Sequence, residues 1–225
     1  MLFRRLSRAH ILVVAACVAA ALIAFGVFRQ PVLRAAGWAL VATTEPLTPA
    51  DIIVVSLDSG GAGALEAADL LQKGIAKRVA VFLDPPSGED HEFIRRGLPY
   101  EDAGQRQIRQ LRSLGVHDIV QIALGGAGTD GESQALPRWS KEHQIQTVVF
   151  VATKDHSRRT QRVLQRAAKG HPLRVMVQPA GYSKFDPDRW WQTRGGVRIA
   201  IIELQKLLLD FLLHPLPTQD PASSA

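Results

Sequence analysis

A histidine and an arginine three positions apart are the residues best suited to chemistry in this chain of 225 residues. His156 follows an apolar run and opens a helical pattern, and Arg159 lies one turn further along the same helix face. An imidazole exchanges protons near neutral pH, and a guanidinium can hold a phosphate through two hydrogen bonds. Two interpretations are open for the pair: a ligand site with His156 as acid–base catalyst, or a helix cap with a salt bridge.

The glycine-rich segment Ser56–Gly63 (SLDSGGAG) follows another apolar run. Its backbone could approach a phosphate closely, with the amides of the next helix pointing toward it. Asp58, Gly60 and Gly61 are the candidate ligand contacts. A tight turn from strand to helix explains most of the same pattern. A nicotinamide enzyme is a minor alternative, because Glu66 occupies the third glycine position of a dinucleotide fingerprint.

Asp84 ends a third apolar run, about where dinucleotide enzymes carry a ribose-binding acid, and is a further candidate ligand contact. The polar segment from Asp84 to Asp102 also contains Glu89–Glu92 (EDHE). Adjacent loop residues rarely converge on one ion, and no second histidine stands at helical spacing. We therefore predict a solvated lid here and no metal site.

Gly125–Glu132 (GGAGTDGE) follows a fourth run. Thr129 and Glu132 have the spacing of a capping box, which by itself explains both residues structurally. The same spacing would place a hydroxyl and a carboxylate at the end of a strand, so both are also candidate ligand-binding residues.

The apolar, β-branched runs are typical of strands buried on both faces. They occur at Asp51–Ser56, Arg78–Leu83, Asp118–Leu124, Thr147–Ala152 and Leu173–Gln178. Helical patterns occur at about Gly63–Lys73, Asp102–Leu114, Asp130–His143, Ser157–Lys169 and Arg189–Leu213. This alternation predicts an α/β fold with a doubly wound, mostly parallel five-stranded sheet, whose ligands bind at the carboxyl ends of the strands.

An uncharged run of eighteen residues, Ile11–Phe28, precedes this domain. As a transmembrane helix it would extend about 27 Å, close to the hydrocarbon thickness of a bilayer. Basic residues before it favour a cytoplasmic N-terminus, so we expect a single-pass plasma-membrane protein with an extracytoplasmic domain. A cleaved signal peptide, with the small-x-small site Ala24–Gly26, is the alternative and also exports the domain.

We divide the chain into an anchor (1–29), a juxtamembrane connector with a short helix at Val32–Val41 (30–49), the α/β domain (50–214) and a disordered tail (215–225). Five of the 27 basic residues lie in or beside the apolar run, which leaves 22 basic and 21 acidic residues elsewhere. This balance argues against a nucleic-acid partner. The only cysteine, Cys17, lies in the run, so the domain has no disulfide and no thiolate chemistry.

Two helical patterns have a surface that a single buried apolar stripe does not explain: one has a row of basic residues and the other has an excess of apolar residues. Arg158, Arg162, Arg166 and Lys169 form a basic stripe that is either solvated or directed at anionic lipid headgroups. The last pattern, Arg189–Leu213, is apolar on most of its surface. It either packs over the sheet and the connector next to the anchor, or binds a protein partner.

The domain resembles the SanA/ElyC/YdcF family of bacterial envelope proteins over about Pro49–Leu213. The matching motifs are Ala50–Val55 (ADIIVV) in the first run, His156-x-x-Arg159 after the fourth strand, and Glu203-x-x-Lys206 in the last helix. The resemblance implies a Rossmann-type fold with His156 and Arg159 in a polar site at the strand ends. It also implies a role in peptidoglycan or surface-polysaccharide assembly, or in handling the polyprenyl lipid carrier.

The chain departs from the family pattern at three places. Gly63 stands where the family has an arginine, Asp84–Pro86 replaces Ser-Gly-Gly, and Thr129–Glu132 replaces Thr-x-Glu-Asn. Because such groups act jointly, their loss should change anion affinity or proton chemistry. We expect a phosphorylated or polyprenyl-linked ligand and leave its identity, any cofactor and catalysis open. The alternative is a non-catalytic nucleotide- or phosphate-binding protein, or a scaffold, at the membrane.

Overall fold

A computed structural model describes residues 26–43, 46–125 and 128–215, together with Val13. The predicted transmembrane run Ile11–Phe28 lies outside the described residues apart from Val13 and residues 26–28, and so does the predicted tail apart from Pro215. Within the described ranges, no helix combines the length and the apolar character that crossing a membrane requires.

Five strands form one sheet, and every pairing in it is parallel. They are β1 (Ile52–Val55), β2 (Val79–Leu83), β3 (Ile119–Ala123), β4 (Thr147–Ala152) and β5 (Arg174–Pro179). Their order across the sheet is β3-β2-β1-β4-β5, so the chain builds outward on one side of β1 and then crosses to the other. All five predicted strands and the doubly wound α/β fold are confirmed, and the sheet is wholly rather than mostly parallel.

Helices cover both faces of the sheet. They are α1 (26–38), α2 (Gly60–Gln72), α3 (Gly88–Arg95), α4 (Ala103–Ser113), α5 (Gly128–Glu142), α6 (Ser157–Ala167) and α7 (Arg194–Leu213). Alternate residues of β1 serve the two sides: Ile53 and Val55 pack with α2 and α4, whereas Ile52 and Val54 pack with α5 and α6. A strand with two buried faces needs an unbroken apolar run, which explains why no polar residue interrupts this one.

A third apolar cluster joins α1 to α7. Leu40, Trp190 and Leu207 are buried in it, and the Trp190 indole donates a hydrogen bond of 2.7 Å to the Leu33 carbonyl. The connector helix predicted at Val32–Val41 is already helical at residue 26, where the described range begins, ends at residue 38 and packs against the domain.

The predicted lid between Asp84 and Asp102 contains a helix that the sequence analysis did not identify. Ser87 and Asp90 form a capping box at the start of α3, and Glu92 pairs with Arg95 and Arg96. No residue of α3 is buried, so the segment is solvated as predicted. Local hydrogen bonds and ion pairs, not burial, stabilise this helix.

Candidate functional site

A cleft of about 670 Å³ opens at the carboxyl ends of β1 and β4. These strands are neighbours, and the connections that leave them run to opposite sides of the sheet. In a doubly wound sheet this topological switch point is where ligands bind. The walls come from the segments that follow β1, β4 and β5 and from α7. Of the predicted site residues, His156, Asp58, Gly60 and Gly61 lie on the wall.

His156 is hydrogen-bonded at only one of its two ring nitrogens. It occupies the N-cap position of α6, but its side chain makes no capping hydrogen bond. Of the alternative interpretation, a helix cap with a salt bridge, only the salt bridge is present, between Arg159 and Glu203. Nδ1 lies 3.0 Å from Thr153 Oγ1 and 3.4 Å from Asp155 Oδ2. Nε2 is buried and has no hydrogen-bond partner in the described part of the chain. A carboxylate beside Nδ1 favours a proton there, which leaves the Nε2 lone pair free for the cleft.

Asp155 fixes the orientation of that ring. Burial alone would raise the pKa of Asp155, but the hydrogen bond with His156 and the charge of that histidine hold the pKa below its usual value. Asp155 therefore stays ionised near neutral pH and can stabilise a positive charge that forms on His156.

Glu132 reaches from α5 to the end of β1. Its carboxylate accepts hydrogen bonds from the Ser56 hydroxyl (3.0 and 3.1 Å) and from the Leu57 amide (2.7 Å). The predicted capping box of Thr129 and Glu132 is wrong, because Thr129 lies inside α5 and Glu132 bonds to a distant loop. With 2 % of its surface exposed, Glu132 supports the β1–α2 turn from below the cleft.

The pKa of Glu132 is raised to about 7. Burial is the main cause, and the negative charge of Asp58 adds to it. The hydrogen bonds from Leu57 and Ser56 and the charge of His156 oppose the shift without cancelling it. Near neutral pH the group is therefore divided between its protonated and charged forms.

Gln107 is a positioning residue that the sequence analysis missed. Its amide nitrogen donates to the carbonyl oxygens of Ser56 (2.8 Å) and Leu57 (3.3 Å), so it holds the same turn from α4. An amide beside Ile108 and Leu111, on the apolar stripe of α4, was the available signal. A polar residue at a stripe position is buried, and it must find a partner there.

The start of α2 is open to a ligand. Ser59, its N-cap, makes no capping hydrogen bond, and its hydroxyl donates instead to the Ser56 carbonyl (2.5 Å). The first amides of the helix are therefore left without a side-chain cap. Gly60 adopts a φ of +49°, which favours glycine. A Cβ at Gly63 would overlap the Ser59 hydroxyl, so the arginine of the family pattern does not fit at this position.

Arg159 lies behind the cleft wall, in an ion-pair network. Its Nε is 3.4 Å from Glu203 Oε2, and its terminal nitrogen is 3.4 Å from Thr129 Oγ1. Lys206 donates to the other oxygen of Glu203 at 2.7 Å. Glu203 itself lines the cleft. The two predicted motifs, His156-x-x-Arg159 and Glu203-x-x-Lys206, therefore meet across α6 and α7.

Asp84, like Arg159, Thr129 and Glu132, is a predicted site residue that does not lie on the cleft wall. Its charge acts on Tyr100 in the lid, where burial and the acids Asp90, Asp102 and Asp84 together raise the pKa of the tyrosine. The acid that follows β1, Asp58, stands on the cleft wall instead.

The two central residues of the predicted basic stripe, Arg162 and Arg166, face α7 rather than solvent or lipid. The side chain of Arg162 is 9 % exposed, and its Nε lies 2.5 Å from Asp210 Oδ2. Arg166 pairs with the same carboxylate, and the Arg162 guanidinium lies 3.6 Å from the centre of the Phe211 ring. Burial acts to raise the pKa of Asp210, but the two arginines hold it below its usual value. These contacts fix α7 against α6 and so keep Glu203 at the cleft.

The known proteins that are similar to this chain are distant structural neighbours. No family model matches the chain, and no curated protein matches it. A universal stress protein in complex with cAMP is 18 % identical, with 60 % of this chain and 100 % of that one covered and a TM-score of 0.35. HcgE from Methanothermobacter marburgensis, bound to guanylylpyridinol and ATP, is 13 % identical, with coverage of 75 % and 97 % and a TM-score of 0.32. The reductase domain of an aureusimine biosynthetic cluster is 13 % identical, with coverage of 56 % and 39 % and a TM-score of 0.28.

The arrangement supplies three chemical capacities at one place. An oriented imidazole has one nitrogen without a partner, the start of α2 has no side-chain cap, and Glu132, which bonds to the β1–α2 turn, can hold or release a proton near pH 7. Together they can bind an anion and move a proton to or from a group beside it.

Proposed function

We propose that the domain binds a phosphorylated small molecule in the cleft and that His156 is the residue that exchanges a proton or a hydrogen bond with it. The observation that carries the proposal is the buried, unpartnered Nε2 of His156 on the cleft wall. Leaving a buried polar group unsatisfied costs about 1–3 kcal/mol, so such an atom is expected to gain a partner from a ligand.

The phosphate would lie at the start of α2, where no side chain caps the helix and the positive end of the helix dipole favours an anion, although the Gly60 amide itself donates to the Leu57 carbonyl. Arg159 stays a candidate phosphate contact, on the condition that its guanidinium leaves Glu203. Thr129 stays a candidate phosphate contact on the same condition, since its hydroxyl is in contact with the Arg159 guanidinium.

We further propose that this site acts in cell-envelope biogenesis, at the extracytoplasmic face of a plasma membrane, on a free or polyprenyl-linked phosphate. Two observations support this proposal. The apolar run Ile11–Phe28 has the length and flanking charges of a membrane anchor. The two motifs of the resemblance also contact each other through Arg159 and Glu203.

The test is ligand-induced stabilisation of the full chain in lipid nanodiscs. The probes are inorganic phosphate, nucleotide sugars, a methyl-donor nucleotide and a short polyprenyl phosphate. A probe at about 100 times its dissociation constant should stabilise the protein by about 2.7 kcal/mol. His156→Gln should abolish the effect, whereas the control His171→Gln, beyond the opposite end of α6, should keep it. A His156→Gln protein that folds and still responds like the parent would contradict the proposal.

A specific observation favours a second candidate, a non-catalytic binding or scaffold protein whose α7 contacts the bilayer surface. Large apolar side chains of α7 are exposed, namely Ile201, Ile202, Leu208, Leu209, Leu212 and Leu213. Arg194 and Arg198 are exposed near the start of the same helix and suit anionic headgroups.

A fluorophore on Leu209→Cys, in a Cys17→Ala background, tests this second candidate. Brominated lipid should quench the label, and it should not quench a label on Lys77→Cys, which precedes β2 at the opposite end of the sheet from the cleft. A label that is shielded from water but not quenched would indicate a protein partner at Arg189–Leu213 instead. A label open to water would reject both partners.

A further inference from the structure

Two charged side chains on the cleft wall are left without an ionic or hydrogen-bonding partner. The Asp58 carboxylate and the Lys184 ammonium are both exposed, and neither pairs with any group in the described part of the chain. The other acids of the wall have partners, because Asp155 bonds to His156 and Glu203 is paired with two cations on α6 and α7. A ligand therefore meets one free carboxylate and one free ammonium.

The free carboxylate limits which phosphates fit. Asp58 would repel a ligand that is phosphate alone, because two negative charges would then share one cleft. A ligand that also carries hydroxyl groups offsets this repulsion, since each hydroxyl can donate a hydrogen bond to the carboxylate. The free acid thus selects for hydroxyls next to the phosphate.

The remaining wall suits a ring. Phe185, Leu65 and Ile199 contribute apolar surface, and Tyr182 adds an aromatic side chain that a hydrogen bond of 2.8 Å to Asp69 holds in place. Sugar rings present apolar C–H faces that pack against such side chains, while their hydroxyls remain available at the edge.

We infer that the cleft takes a glycosyl phosphate, a hydroxylated sugar ring joined to a phosphate. The inference rests on the phosphate site proposed above. The sugar hydroxyls donate to Asp58, and the phosphate lies between Lys184 and the α2 amides. In dinucleotide enzymes an acid after the second strand accepts hydrogen bonds from the ribose hydroxyls. Here Asp58 would accept them from the sugar, because Asp84 acts on Tyr100 in the lid. Free sugar phosphates and polyprenyl-linked ones share this chemistry.

The experiment measures affinities of the full chain in nanodiscs for inorganic phosphate, glucose 1-phosphate, N-acetylglucosamine 1-phosphate and a polyprenyl-phosphate-linked glucose. The parent protein should bind the better glycosyl phosphate at least about tenfold more tightly than inorganic phosphate. One hydrogen bond to a charged group contributes about 1.5–3 kcal/mol, which is enough for this difference in affinity. Asp58→Asn should weaken glycosyl phosphates about tenfold and leave inorganic phosphate unchanged or tighter. Glu89→Gln, on the exposed helix α3, is the matched control and should change neither.

The outcomes separate this inference from the proposed function. Equal affinities for phosphate and glycosyl phosphates, or an equal loss for both in Asp58→Asn, would overturn the inference and leave the phosphate site standing. No binding of any probe would overturn both. If the inference holds, the tighter of the free and lipid-linked sugars identifies the source of the ligand.

Discussion

Replacing Glu132 by glutamine should stabilise the protein at high pH and not at low pH. The pKa of Glu132 is about 7 in the folded protein, against 4.5 for the unperturbed group. Between these values the native state holds a proton that the unfolded state has lost, so the free energy of unfolding falls as pH rises through this range. Each pKa unit corresponds to about 1.36 kcal/mol, so the full loss is about 3 kcal/mol.

The glutamine variant removes this loss, because it has no charge to bury. Its carbonyl can still accept from the Leu57 amide, and its amide can donate to the Ser56 hydroxyl. We therefore expect the variant to be more stable than the parent by up to about 3 kcal/mol at pH 8, with the difference shrinking as pH falls toward 4.5.

Urea unfolding of both proteins from pH 4.5 to pH 8 measures this difference directly, with other titrating groups contributing equally to each protein. Glu142→Gln, at the exposed end of α5, is the matched control and should follow the parent. If the stability difference between Glu132→Gln and the parent were the same at every pH, the carboxyl would not titrate in this range. The account of its burial would then be wrong.

Three further changes test the packing around the cleft. Gly63→Ala should lower the free energy of unfolding in urea by about 1–3 kcal/mol, because its Cβ would overlap the Ser59 hydroxyl. The control Gly61→Ala has room for a Cβ and should change the stability little, and equal effects of the two changes would contradict this argument. Asp210→Asn should lower the free energy of unfolding by about 2–3 kcal/mol at pH 7, since it breaks the pairs with α6. The difference should shrink as pH falls below the usual aspartate pKa of about 4 and through the lowered pKa of Asp210, and a loss that is the same at every pH would refute the charge argument. Lys206→Gln should weaken phosphate binding about threefold to tenfold, although Lys206 is not on the cleft wall, because Glu203 would then hold Arg159 more firmly. An unchanged phosphate affinity in calorimetry would refute this link between Lys206 and Arg159.

The sequence predicts the sheet well and the site only in part, for a physical reason. Strands such as β1 and β4 are buried on both faces, so they require an unbroken apolar run, and this run identifies them in the sequence. The positions of His156 and Asp58 follow from the rule that the ends of neighbouring parallel strands meet. Both residues are next to a strand, so a local pattern is sufficient to place them.

Contacts between distant elements could not be predicted in the same way. Local spacing assigned Glu132 to a capping box with Thr129, but its partners lie 75 and 76 residues away, at Leu57 and Ser56. The stripe of Arg162 and Arg166 looks like a solvated face until α7 brings Asp210 against it. In each case the deciding partner comes from another helix or loop, and no periodicity within one segment encodes it.

The pairing of Glu203 with two cations explains how Arg159 could serve a ligand from behind the wall. Removing one partner from a buried ion pair normally leaves a costly unpaired charge. Here Lys206 donates to one oxygen of Glu203 and Arg159 to the other, so the carboxylate keeps a partner if Arg159 turns toward a phosphate. The exchange then replaces a 3.4 Å contact with a charge-assisted hydrogen bond and leaves Glu203 paired with Lys206. On this argument the Lys206–Glu203 pair is what would free Arg159 to contact a ligand.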